Sequence, residues 1–302
     1  MTRLAEELAR ELLEAPHLVA EQIEGTEPLL ADSNCLIATG SGDSYAAAIA
    51  MESSSPAVTA VDPLEAAAGG RLKRYVAEGC VLVALSVGGR TRSVVEAASL
   101  YRKLGGRVVA VTAGRSSPLA HVADEAVYMV YGGLAAGIGA VRHLVMLAAA
   151  GRLLGVDVWR PRPLGGGNCV WLRSEMHTGC LSGFSAALFT VLKLYEVYGS
   201  NVRAERLEQL VHAPIYSVDT VTLYAAPGHC RNKTMEVYGV LRSVGYRVEL
   251  VEAGANEGIA AAMEHAYRSL ECLYEAVVRD GVAEPQYRRH RGLAELTRLI
   301  YG

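Results

Sequence analysis

Short apolar runs punctuate the first half of the chain at 35–38, 57–61, 81–85, 107–112 and 125–130. Each has the length of a strand. The run Val81–Leu85 is apolar throughout, the pattern of a strand covered on both faces. Between these runs, 44–52, 63–70, 92–104 and 139–154 carry the pattern of helices, as does 4–24, where Pro16 predicts an interruption. Asp62-Pro63 suits a helix start, Gly105-Gly106 suits a helix end, and 114–118 reads as a loop. Strands alternating with helices predict a doubly wound α/β domain on a parallel sheet.

The alternation stops at Pro161-Arg162-Pro163-Leu164-Gly165-Gly166-Gly167, then resumes less regularly. The predicted organisation is a first domain over 1–158 including the amino-terminal helix, a linker over 159–167, and a second domain over 168–302 with a carboxyl-terminal tail. In that second part, 169–172 fits a strand or a helix start equally. Helices are predicted over 184–199, 233–244 and 258–279, with a short last one over 291–300, and strands over 221–225 and 247–251. Gly179-Cys180-Leu181-Ser182-Gly183 stands before its helix as Gly40 to Ser44 stand before theirs. The second part reads as a degenerate copy, so the fold class expected is α/β, two doubly wound parallel-sheet domains in tandem.

Composition adds exclusions. A hydrophobic content of 51% and a net charge of −3 describe a compact globular protein and favour neither nucleic acid nor an anionic membrane as partner. Arg142, His143 and Arg152 interrupt the longest apolar stretches, so no membrane span is expected. The amino end, Thr2 to Glu7, is an acidic amphipathic helix without the look of a signal peptide, which predicts a cytoplasmic protein. Six cysteines without a C-x-x-C pair are expected to be buried free thiols, ahead of metal ligation or disulfides. Lysine occurs only at 73, 103, 193 and 233, a scarcity that codon bias and heat adaptation explain equally well.

Candidate chemistry begins at two strand-to-helix turns. Ile37-Ala38-Thr39-Gly40-Ser41-Gly42-Asp43-Ser44-Tyr45 leads a strand into an Ala-rich helix. The first N–H groups of a helix lack internal partners and carry partial positive charge. Glycines allow close approach there, and Ser41 and Ser44 add hydroxyls: a phosphate cradle. It matches neither the P-loop nor the dinucleotide fingerprint, since Tyr45 replaces the third glycine. A second turn, Ser86-Val87-Gly88-Gly89-Arg90-Thr91, follows the 81–85 run. In one parallel sheet both turns would open on the carboxyl edge, where such sheets bind ligands. In the second part, Lys193 and Glu196 lie on one helical face, either a solvated ion pair or a working pair, and His212 precedes Ala213-Pro214.

These residues resemble the sugar isomerase (SIS) domain, in which a G-x-G-x-S turn and an S-x-S-G-x-T turn hold the phosphate of a sugar phosphate on a flavodoxin-like sheet. The first turn fits; in the second, Gly88 stands where the family usually has a serine. Leu192 through Asp219 is similar to the isomerase half of the glutamine–fructose-6-phosphate amidotransferases, matching L-K-L-x-E, the run into H-x-P and the closing Asp219. So is Glu11-Leu12-Leu13-Glu14-Ala15-Pro16, near the amino end, and so is the Gly-rich segment Gly132 to Arg142. The resemblance implies that Glu196 moves a proton between C1 and C2 and that Lys193 sits beside it. It also implies that His212 assists ring opening from the neighbouring subunit of a homodimer. The phosphate would lie on Ser41, Ser44, Ser86, Gly88, Gly89 and Thr91. No metal and no organic cofactor is implied. Two departures limit the carry-over. The chain begins at the isomerase half, without the glutaminase domain, and Glu295 replaces the lysine of the family's R-x-L-A-K tail, so an imine there is excluded. The crenarchaeal phosphoglucose/phosphomannose isomerases carry Pro-Arg where this chain has Ala136-Gly137, which argues against that activity. The reading expected is a phosphosugar-binding protein, a hexose or hexosamine 6-phosphate aldose–ketose isomerase or a related deaminase. The alternative is a non-catalytic phosphosugar sensor.

Overall fold

A computed structural model describes residues 1–68, 70–131, 138–162, 169–289 and 299–300. The chain opens with α1 (Arg3–Glu24), capped by Thr2, whose side-chain oxygen accepts from the backbone N–H of Ala5. α1 runs through Pro16 without interruption. Proline removes one backbone hydrogen bond, but the buried stripe of Leu4, Leu8, Leu12, Ala15 and Val19 packs on both sides of it and holds the helix together.

Then come β1 (Leu36–Thr39), α2 (Asp43–Ser54), β2 (Val58–Val61), α3 (Pro63–Ala67), α4 (Arg71–Ala77), β3 (Val81–Leu85), α5 (Arg92–Lys103), β4 (Arg107–Thr112), α6 (Pro118–Val122), β5 (Glu125–Tyr128) and α7 (Ala140–Leu154). The five strands form one parallel sheet in the order β2-β1-β3-β4-β5, with Leu36 beside Val58 on one flank and Val81 on the other. This is the doubly wound order whose switch point lies between β1 and β3. Leu36, Ile37 and Ala38, like every residue of β3, are buried, as an apolar run between two helical layers requires. The short helices α4 and α6 were not expected from the sequence. Each is under eight residues, too short for periodicity to show.

The second sheet holds β6 (Met176–Gly179), β7 (Arg203–Arg206), β8 (Thr220–Ala225) and β9 (Arg247–Glu252). Its helices are α8 (Ser182–Tyr198), α9 (Leu207–His212), α10 (Arg231–Ser243) and α11 (Ile259–Asp280). All pairings are parallel, in the order β7-β6-β8-β9, which repeats the first four strands of the other sheet. Residues 170–173, left open between strand and helix, form a 3-10 turn. β6 and β7 escaped the sequence reading because Met176-His177-Thr178-Gly179 and Arg203-Ala204-Glu205-Arg206 are four residues each and not apolar. The predicted linker falls partly at 163–168, and the last helix, Glu295 and Ala136-Gly137 fall at 290–298 and 132–137. Apart from 159–162 of the linker and 299–300 of the last helix, these segments lie outside the described residues.

Each half keeps a buried cluster of its own, one around Leu82 and Tyr101 and one around Leu223 and Leu241, and the halves share a third. α1, α2, α7, α8 and α11 contribute to one continuous buried cluster that reaches both sheets, with Phe189, Leu194, Met146 and Met263 inside it. The Oγ of Ser185 on α8 donates to the carbonyl of Ala46 on α2 at 2.7 Å, so two of these helices are tied across the halves.

The cysteine reading is corrected. All six are paired: Cys35–Cys80, Cys169–Cys272 and Cys180–Cys230. Partners lie 45, 103 and 50 residues apart, so no local spacing announces them. For the first pair strand register does: Leu36 pairs with Val81, and the residues just before them, Cys35 and Cys80, are therefore neighbours.

Candidate functional site

At the carboxyl edge of the first sheet, three helix N-termini converge on a cavity of about 610 Å³. α2 brings Ser41, Gly42, Asp43 and Ser44; α5 brings Ser86, Gly88 and Thr91; α7 brings Ile138, Gly139, Arg142 and His143. None of the three has a side-chain cap: Gly42, Thr91 and Gly139 occupy the capping positions without capping bonds. The starts of α2 and α5 turn their first N–H groups and partial positive charge to the cavity, the arrangement an oxyanion binds, whereas at α7 the Val141 N–H donates to Glu11 Oε2 at 3.2 Å. The volume suits a small phosphorylated ligand.

The first turn is built for close approach. At Gly40 a Cβ would lie 2.7 Å from the backbone of Ser44, and Gly42 takes φ +58. In the second turn the Oγ of buried Ser86 and the Oγ1 of Thr91 share a hydrogen bond at 3.1 Å, and Gly88 is exposed. Gly89 has φ +62, and a Cβ there would collide with Ser117 Oγ. It shapes the turn from behind and does not line the cavity. β4 braces the same turn: Thr112 Oγ1 donates to the carbonyl of Val87 at 3.0 Å.

The remaining wall comes from the other half. Glu196, near the end of α8, lines the cavity. Beneath it Lys193 is buried at 2% exposure, which excludes the solvated-pair reading. Its ammonium donates to Glu196 Oε2 at 2.7 Å, Asp43 Oδ2 at 2.7 Å and the Ile138 carbonyl at 2.5 Å. Burial pushes the Glu196 carboxyl up to about 7; Lys193 opposes the rise, Asp43 adds to it, and Arg142 opposes it. Burial alone would lower Lys193, and Asp43 followed by Glu196 outweighs that, leaving it raised. With its donors engaged and its charge held, Lys193 is not a nucleophilic amine.

The structure thus brings together Ser41, Ser44, Ser86, Gly88, Thr91 and Glu196, with Gly89 and Lys193 directly behind them. It does not bring His212 to them. His212 ends α9 with its side chain 68% exposed, 3.2 Å from Glu208, and lies outside the cavity lining. Sequence reasoning missed three wall residues. Asp43 lay inside the quoted motif, where only hydroxyls were counted. Arg142 was noticed as the end of the Gly-rich segment and, like His143, as an interruption of an apolar stretch, with no role given to either. His143 is buried, stacks on Phe189 at 4.2 Å, and is pushed down to about 4 by burial.

Chemically, a cavity with neutral oxyanion donors on one side and a carboxylate titrating near neutrality on the other suits proton transfer on a small anionic molecule. The family model described as the SIS domain matches residues 29–153, the stretch that carries the first sheet and its two turns. No curated protein matches the sequence. Among solved structures, the chain is similar to the C-terminal domain of glucosamine-fructose-6-phosphate aminotransferase from Francisella tularensis, with a TM-score of 0.70 and 15% identity, over 93% of this chain and 98% of that one. It is similar to glucosamine-6-phosphate deaminase from Thermotoga maritima, with a TM-score of 0.66 and 14% identity over 91% and 95%. It is also similar to tagatose-6-phosphate ketose/aldose isomerase from Escherichia coli, with a TM-score of 0.63 and 14% identity over 92% and 96%. At these identities the likeness is one of fold, and it takes in both halves of the chain.

Among the described residues no helix is long and apolar enough to cross a membrane.

Proposed function

We propose that the chain binds a hexose or hexosamine 6-phosphate in this cavity and interconverts its aldose and ketose forms, or deaminates it through the same proton transfer. The observation that carries this reading is Glu196, a carboxylate pushed up to about 7, facing the cavity that the hydroxyl-lined turns also face. Moving a proton between adjacent carbons needs one base whose titration lies near the working pH, so that ionised and protonated forms are both accessible. The phosphate rests on Ser41, Ser44, Ser86 and Thr91 with the N–H groups around Gly88. The second half is a degenerate second SIS-type copy, and the working unit is a homodimer in which His212, exposed on α9, serves the neighbour's ring opening. The cytoplasm remains the compartment of this reading, and the three disulfides weigh against it, since outside hyperthermophiles such bonds are rare in the cytosol.

Incubating the protein in D₂O with glucose 6-phosphate and with glucosamine 6-phosphate, and following the C2 proton by NMR, tests the reaction. Loss of that signal with protein, and not with its Glu196→Gln variant, is the expected result. Thermal stabilisation by a sugar phosphate without exchange assigns a sensor, the role to which Gly88 in place of a second serine lends weight. Absence of both effects across a panel of sugar phosphates overturns the reading.

A further inference from the structure

The helix start at Gly42 has a counterpart in the other half. Leu181, before α8, takes φ 50 and ψ −117, close to the φ 58 and ψ −125 of Gly42, although leucine has a Cβ. Gly179 approaches Gly183 as Gly40 approaches Ser44. The residue that opens each helix differs: Ser182 opens α8, whereas Asp43 opens α2. An acidic side chain beside an oxyanion cradle works against the ligand's own charge, and its presence there calls for a separate task.

Its contacts define one. Asp43 Oδ2 receives one N–H of the Lys193 ammonium at 2.7 Å, and Glu196 Oε2 receives another at the same distance. The third goes to the Ile138 carbonyl. One buried cation is therefore divided between two carboxylates, one from each half of the chain. We propose that Asp43, acting through Lys193, keeps Glu196 poised as a base, and is a positioning residue of the site. This rests on the reading of Glu196 as the proton-transferring group.

The electrostatics follow from the charges that face Glu196. Lys193 lies on its own helix, Asp43 on α2, and Arg142 and His143 on α7. Arg142 contributes a guanidinium, and His143 is neutral above about pH 4. Asp43 is then the one anionic neighbour in this set. With it in place the ammonium only half-compensates Glu196, so the protonated form is favoured more than a private ion pair would allow. Without it Lys193 belongs to Glu196 alone, and the carboxylate becomes a weaker base. Deleting the lysine has the opposite effect, because two carboxylates then share a partly buried site without their cation.

The test needs no substrate. Glu196 is followed by carboxyl ¹³C NMR in the intact protein, assigned by its loss in Glu196→Gln, as pH is varied. Asp43→Asn should lower its titration midpoint by about one unit or more, and Lys193→Met should raise it by a similar amount. Asp43→Ser places at α2 the hydroxyl that opens α8, and covers the case in which the amide variant does not fold. A midpoint unmoved in the folded Asp43 variant, or moved in the same direction as in the Lys193 variant, overturns the proposal. A purely structural strut would lower stability without these opposite shifts. If the midpoints move as expected and no sugar phosphate exchanges its C2 proton, the isomerase reading falls and the role of Asp43 stands. Where turnover is observed, the acid limb of its pH profile should move with the midpoint.

Discussion

At the scale of single residues, function concentrates on Glu196. Replacing it by glutamine keeps its shape and its hydrogen bond to Lys193 and removes the basic oxygen. Isomerisation should fall by about 10²–10⁴-fold while sugar-phosphate affinity stays within a few fold, measured by C2-proton exchange and by calorimetric titration. A loss of binding equal to the loss of rate would assign Glu196 to ligand holding. The spacing of Lys193 and Glu196 was legible in the sequence, because residues three apart share a helical face. The burial of Lys193 was not: it depends on α2 and the segment before α7 closing over it, from positions 150 and 55 residues away. The same distance hid Asp43, whose partner is on the far half of the chain.

At the scale of elements, the site depends on the turns more than on the strands that carry them. In the turn after β3, Gly89 combines a left-handed φ of +62 with a side-chain position already filled by Ser117. Gly89→Ala therefore has to move Ser117 or change the backbone angle. We expect a loss of about 1–3 kcal/mol in a urea titration. Weaker binding of glucose 6-phosphate should accompany it, because the N–H groups beside Gly88 shift with the turn. Gly88→Ala is the control, since open space surrounds its Cβ position. An equal loss of stability in the two variants would show that the packing against Ser117 is not what fixes this turn.

Across the whole molecule, the shared core makes stability depend on acid. Among the described residues, His143, His177 and His265 are buried and pushed down from 6.5 to about 4, burial being the largest cause for each. A histidine held neutral by the fold but free to protonate when unfolded stabilises fully above its unfolded value. That contribution is lost as pH falls from about 6.5 towards 4. The loss is up to about 3 kcal/mol for each. Glu196, raised by its surroundings, titrates in the opposite sense, one group against three. The urea midpoint should therefore drop steeply between pH 6.5 and 4, and His265→Gln should flatten the slope. A midpoint unchanged over that interval would contradict the burial of these rings.

The sequence by itself determined what local pattern can carry. Continuous apolar runs gave the strands of the first sheet, helical periodicity gave α2, α5, α7, α8 and α11, and Gly/Ser turns marked where ligand-facing N–H groups lie. These features depend on residues within a few positions of each other, so the chain states them directly. Only the tertiary structure decided the rest. Register brought Cys35 beside Cys80, and helix packing joined the two halves through one shared buried cluster. Pro16 stayed helical because the buried face of α1 outweighs one missing hydrogen bond. The cavity itself exists because α8 lays Glu196 against turns some 105 to 155 residues earlier, a distance that periodicity cannot span. Burial then turned what reads as a solvated pair into a divided one, because a charge removed from water takes its properties from whichever groups the fold places next to it.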